Sequence, residues 1–187
     1  MVSAIRFWIK SFGLNKDSQT HWIAEYLLNS NMGKDPYMED LGTLWLLHFL
    51  LVYTNEASLY KLFFIDFQKE RRLFNKDQVI TFVKRKMRDA GKENTFNKNT
   101  VKKDVGVLLH NYCLPRNPQS NEDFSTLLID LDLLRQTDKT DSTEDNEDKY
   151  FFNIEGKREV TPSIFLFAVL LIKEENANNI PKLLEQD

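Results

Sequence analysis

The chain has 187 residues, 42% of them hydrophobic and 28% charged, with a net charge of -3. That balance excludes a disordered or fibrous chain and a protein that is basic throughout, and it allows one large domain or two small ones. A lone cysteine, Cys113, forms no internal disulfide, which fits a reducing cytoplasm, and the first residues lack the continuous apolar run of a signal peptide.

Val2, Ile5, Ile9 and Phe12 recur at helical spacing and predict a first amphipathic helix, closed by Gly13. A shorter helix is predicted from Thr20 to Leu28, with Trp22, Ile23, Tyr26 and Leu27 turned inward. Asp35-Pro36 then marks a turn, and Glu39 and Asp40 fall where the positive end of a helix dipole favours acids. From Leu41 to Tyr53 nearly every position is apolar. A helix of that kind is buried on all sides, and it is too short for a bilayer span of roughly 20 apolar residues. It is expected to be the central core helix, with Trp45 almost fully buried.

Asn55 reads as the N-cap of a helix to Phe67, with Leu59, Leu62, Phe63 and Phe67 on one face. Phe74-Asn75-Lys76 and Phe96-Asn97-Lys98 then repeat one pattern. In each, the asparagine suits the N-cap, and the phenylalanine before it can staple against Val79 or Val101. The first of these helices runs to about Ala90 and stops at Gly91, burying Val79, Ile80, Val83 and Met87. The second runs to about Tyr112, burying Val101, Val105, Leu108, Leu109 and Tyr112. Two helices joined through Lys92 to Asn97 outline a helix-turn-helix, although its connection exceeds the usual 3–4 residues.

Ser120 with Asp123 resembles a capping box opening a helix to Leu131. Leu133 to Thr137 and Tyr150 to Ile154 read as short strands on either side of the polar, acidic stretch from Asp138 to Lys149. Helices followed by strand, loop and strand are the order of a winged helix. Thr161-Pro162 caps the last long helix, which contributes Ile164, Phe165, Phe167, Ala168, Leu171 and Ile172 to the core, and the tail from Ala177 is a short helix or a frayed end. The predicted protein is therefore mainly α, a helical core with winged-helix architecture. Residues 1–67 form an N-terminal helical region, the remnant of a first winged helix, and residues 68–187 a second winged-helix-like region; the alternative is one continuous core across both.

Between Lys69 and Lys103 the sequence has 12 basic residues and 4 acidic ones. On the two helix-turn-helix segments, Lys84, Arg85, Arg88, Lys98, Asn99, Lys102 and Lys103 are the candidate DNA contacts. Lysines and arginines neutralise phosphates, and Asn99 is placed to reach a base edge. Val101, Val105 and Leu108 turn the other way along the second helix. The plain alternative is a solvated helix face. The acidic stretch argues against ordinary wing contacts with DNA, and for a protein partner or a shield over the basic patch.

Signals of catalysis are sparse. His21, His48 and His110 lie on separate elements without metal-ligand spacing, and His48 reads as a partly buried side chain bonded to a backbone group or a carboxylate. Cys113 lies near His110 without a third group to orient the pair. There is no glycine-rich phosphate loop, and neither a cofactor nor a metal is implied. Glu155-Gly156-Lys157, with Asp130 or Asp132 upstream, loosely matches the acid and Glu-x-Lys of magnesium-dependent nucleases. Gly156-Lys157 suits a simple turn equally well.

The block from Asp35 to His48, DPYMEDLGTLWLLH, resembles the signature of a bacterial family called domain of unknown function 4007. Met1 to Trp8 is similar to that family's first helix, and Thr100 to Tyr112 and Leu127 to Leu134 are similar to its later blocks, so the resemblance covers essentially the whole chain. Family members carry a glycine- and lysine-containing helix-turn lead-in before that first helix; this chain is expected to lack it, with Met1 at an internal position of the family pattern. The resemblance implies paired winged-helix domains. It also implies a place beside sulfurtransferase-like enzymes, similar to phosphoadenosine phosphosulfate reductase, in DNA phosphorothioation and phage-defence clusters. The expectation is a DNA-binding or adaptor subunit, with duplex DNA and a sulfurtransferase-like or other defence-system subunit as partners and no membrane association. A protein-interaction scaffold that does not bind DNA is the alternative, and a magnesium-dependent nuclease comes third.

Overall fold

The computed structural model describes residues 2–16, 19–113, 127–137, 148–157 and 159–184. They form a mainly helical protein with a small three-stranded antiparallel sheet. The Ser120–Asp123 capping box and most of the acidic stretch lie outside the described residues.

The first helix, α1 (Val2–Ser11), does not bury the expected face. Ile5 and Ile9 are exposed, while Trp8 and Phe12 pack on the core. Trp8 meets Tyr60 edge-on, with ring centroids 5.9 Å apart, and the larger aromatic surface decides which side of α1 turns inward. Gly13 ends this segment at φ 67, a conformation glycine adopts without strain. A short hairpin the sequence does not announce follows, β1 (Asn15–Lys16) with β2 (Gln19–Thr20). Helix α2 (Trp22–Leu28) buries Ile23 and Leu27, one turn apart. Trp22 and Tyr26 were expected beside them but are 59% and 53% exposed. So short a helix covers only one narrow stripe.

Helix α3 (Leu41–Tyr53) is set by a relay of carboxylates. Asp35 accepts from the amides of Glu39 and Asp40, each at 3.0 Å, and Asp40 accepts from those of Gly42 and Thr43 at 2.6 and 3.3 Å. These bonds satisfy amides that a helix start would leave unpaired. Thr43, Leu44, Leu47, Leu50 and Leu51 are buried, but α3 is not covered all round. Trp45 is only partly buried and Leu41 is exposed. The expectation overcounts because an apolar sequence states what a helix would bury, not how many neighbours arrive to cover it.

Asn55 is not an N-cap. It sits in the left-handed region at φ 57, which asparagine tolerates, and the helix starts three residues later. That helix changes winding along its length, from α4 (Ser58–Lys61) through a six-residue π segment (Leu62–Phe67) to α5 (Gln68–Glu70). Tyr60, Phe63 and Phe67 are its fully buried anchors.

Strand β3 (Leu73–Asn75) runs straight into helix α6 (Lys76–Asp89). Asn75 is both the last strand residue and the N-cap, and it forms a reciprocal capping box with Gln78. After Gly91 (φ 68) and a 3-10 turn over Glu93–Thr95, Asn97 caps α7 (Lys98–Tyr112) through the amides of Asn99 and Thr100. Strands β4 (Leu134–Gln136) and β5 (Lys149–Phe152) complete a sheet in the order β3-β5-β4. Phe74 lies opposite Tyr150, and Leu134 opposite Phe152.

The last helix, α8 (Pro162–Leu184), continues past Ala177. It lies on α3, where Ile164 comes so close to Gly42 that a side chain there would crowd it at 3.1 Å. Phe167 and Leu171 pack against the cluster of Ile23, Leu27 and Leu50. Phe165 and Ile172, expected in the core, are exposed.

Leu51→Ala removes a side chain with no exposed surface and is expected to cost about 2–5 kcal/mol in equilibrium denaturation. Trp22→Ala, at an open site, should shift stability by about 0.5 kcal/mol or less. Similar losses at the two positions would place the core elsewhere.

Candidate nucleic-acid interface

Capping places the basic residues. The Asn75 box fixes the start of α6 and the Asn97 cap fixes the start of α7. Val79, Ile80, Phe82 and Val83 bury one side of α6, and Val105, Leu108, Leu109 and Tyr112 one side of α7. Outward on α7 are Lys98, Asn99, Lys102 and Lys103, at the i, i+1, i+4, i+5 spacing of one helix face, with Thr100, Asp104 and Val107 exposed beside them. None of the three lysines forms an ion pair among the described residues.

The structure splits the α6 set. Lys84 is exposed, and its Nζ lies 6.0 Å from the ring of Phe96, two residues before the first lysine of α7. It therefore joins the α7 group. Arg85 turns away to the Glu70 carboxylate at 2.6 Å and lies over the Phe82 ring, and its hydrogen bond holds that carboxyl below the ordinary range. Lys86 pairs with Asp66 at 3.5 Å. Arg88 is exposed and lies 3.9 Å from neighbouring Asp89. Lys84 and the three lysines at the start of α7 thus stand together, apart from the ion pairs that hold Arg85 and Lys86.

The structure also brings together Asp132, Glu155 and Lys157. Asp132 caps a 3-10 turn (Ile129–Leu131) in the left-handed region at φ 46. Arg135 donates from Nε to its carboxylate at 2.9 Å and from Nη2 to Glu155 at 3.1 Å. Asn153 donates to the Asp132 carboxylate at 2.7 Å, and Lys157 donates to its carbonyl at 2.8 Å. Arg135 holds the Asp132 carboxyl below its usual range. Asp130 is exposed and stands apart from these bonds. A guanidinium bridging the two carboxylates offsets their charge, and the cluster reads as a clasp between β4 and the segment after β5. Among the described residues no group of three or more His, Cys, Asp or Glu is arranged to hold a metal ion.

Among the described residues the His48 side chain is bonded neither to backbone nor to a carboxylate. Its Nδ1 lies 2.8 Å from the Tyr112 hydroxyl, with Phe64 and Trp45 against the ring. Burial lowers its pKa from 6.5 to about 4, so it is neutral in the fold. Cys113 donates to the Leu134 carbonyl at 3.3 Å, and burial raises its pKa to about 12. Such a thiol is inert. No helix among the described residues is long and apolar enough to cross a membrane.

The family model described as Protein of unknown function (DUF4007) matches residues 1–186. The chain belongs to the DUF4007 family. Two solved structures share its fold. A crystal structure of SspB is 23% identical, with a TM-score of 0.64 over 88% of this chain and 50% of its own. A magnesium ion-bound SspB crystal structure is 21% identical, with a TM-score of 0.65 over 88% and 50%. The chain spans about half the length of these proteins, and no curated protein matches it.

Two outcomes test these assignments. His48 resists protonation in the fold but takes a proton near pH 6.5 when unfolded, so its contribution is complete above that pH and is lost as pH falls towards 4. Denaturation between pH 7 and 4 should show a loss of up to about 3 kcal/mol from this group, and His48→Gln should flatten it. Separately, duplex DNA incubated with the protein and magnesium is expected to stay intact. Cutting that disappears in Glu155→Ala would make the clasp a catalytic site.

Proposed function

We propose that this DUF4007 protein is a DNA-binding or adaptor subunit of a bacterial DNA-modification (phosphorothioation) or phage-defence system. The observation that carries this reading is the exposed arc of Lys98, Asn99, Lys102 and Lys103 at the start of α7, without an ion pair among the described residues and extended by Lys84. A helix start is positive through its own dipole, so these lysines add to a potential already suited to phosphates. The sequence β3-α6-α7-β4-β5, with β5 between the other two strands, supports a winged-helix reading in which α7 is presented to a groove. The resemblance to a family that is expected beside sulfurtransferase-like enzymes supports the defence-system setting, and the fold shared with SspB is compatible with it. Within it, a sulfurtransferase-like subunit is the proposed protein partner.

The second reading, a scaffold that does not touch DNA, takes its support from Arg85 and Lys86. Their ion pairs remove part of the positive charge from α6.

Duplex DNA titrations at several salt concentrations decide between the two. Each phosphate contact adds roughly 0.9 to the slope of log affinity against log salt. Lys102→Glu with Lys103→Glu should weaken binding to all sequences and flatten that slope by about two units. Asn99→Ala should relax sequence preference and leave the slope unchanged. Absence of salt-dependent binding at low ionic strength, to plain or phosphorothioated duplexes, would hand the lead to the scaffold.

A further inference from the structure

Helix α8 has two apolar sides and uses one. Ile164, Phe167 and Leu171 face α3 and α2. On the other side Phe165 and Leu170 are 65% and 54% exposed, and Leu166, Val169 and Ile172 are exposed with them. Trp22 of α2 extends the bare surface: its ring contacts Phe167 edge-on at 6.2 Å and reaches Tyr26 at 6.5 Å, and both Trp22 and Tyr26 stand open. A contiguous apolar surface of this extent marks an interface.

We propose that this face pairs with the same face of a second copy of the chain, α8 against α8. The spacing selects a helix as the occupant. Residues 165, 169 and 172 form one ridge and residues 166 and 170 another, the i, i+4, i+7 pattern that interdigitates with a neighbouring helix. Charge selects a copy of itself. From Val160 to Ile172 the sequence has no charged residue, so a partner must bring an uncharged stripe, and a second α8 brings one. A two-fold axis through this stripe closes the pair and leaves no further copy to recruit. The area is sufficient: the exposed side chains named leave on the order of 500–600 Å² bare, most of the roughly 800 Å² each partner contributes to a standard interface. The proposal is independent of the DNA-binding reading.

Sedimentation equilibrium from 1 to 100 µM (an arbitrary span about typical dissociation constants) tests it on the whole chain. The protein should reach twice the monomer mass, and L166E with L170E should be monomeric with an unchanged helical circular dichroism spectrum, because both side chains are exposed in the monomer. A Val169→Cys variant should form a disulfide-linked dimer on mild oxidation, whereas Lys61→Cys, on the exposed side of α4, should not. A wild-type monomer at the highest concentration would overturn the proposal, as would a dimer indifferent to the two glutamates. Co-sedimentation of a monomer with phosphatidylcholine–phosphatidylglycerol vesicles, lost in the double variant, would overturn it too and assign the face to a lipid surface.

Discussion

One side chain holds the two halves of the architecture in register. Phe74 is buried, stacks on Tyr150 across the sheet at 6.0 Å, and meets Phe63 and Phe67 of the π segment edge-on at 5.4 and 5.3 Å. It lies beside Asn75, the cap from which α6 starts. Moving Phe74 would therefore shift a strand register and a helix origin together. A one-residue slip of β3 would turn Phe74 to solvent and Asn75 inward, where its capping bonds could not form. The wide winding of Leu62–Phe67 belongs to the same constraint. Phe63 and Phe67 stack on each other at 5.6 Å while both reach the sheet.

From that anchor the charge distribution follows. With α6 fixed at Asn75, Arg85 falls within reach of Glu70, and Lys84, next in sequence, points to the start of α7. Adjacent cations on one helix thus end in different surroundings, one paired with a carboxylate and one beside the Phe96 ring. A count of basic residues along the chain cannot separate them, because helix periodicity sends neighbours about 100° apart. Where free lysines collect depends on which carboxylates the fold brings close, and those come from α5 and the π segment.

What the sequence made legible is what local chemistry decides. Asn75 with Gln78, Asn97 before Thr100 and Gly91 after Ala90 define the boundaries of α6 and α7, because caps and left-handed stops act over a few residues. Strand β3 was hidden for the opposite reason. It is three residues long, ends in a helix cap, and is a strand only because Lys149–Phe152 pairs with it from far along the chain. Asn55 misled because an asparagine that favours a cap also favours the left-handed turn it adopts. The clasp at Asp132 was half visible: its Glu-x-Lys could be read, but the guanidinium that bridges its carboxylates comes from Arg135, and no spacing rule points there.

The apolar helices carry the deeper lesson. Helix α3 and the first half of α8, Ile164 to Ile172, are both apolar nearly all round in sequence, yet α3 buries five side chains and α8 leaves a whole face open. The difference is position. Helix α3 lies between α4 on one side and α8 on another, so its faces are taken from two directions, whereas α8 is the outer layer of that stack. Hydrophobic sequence fixes how much surface must leave water, and topology fixes how much of it the chain can cover by itself. In α8 the second quantity falls short of the first. The uncovered remainder is uncharged, regular in spacing and flanked by Trp22, so the deficit has the form of a helix-sized seat.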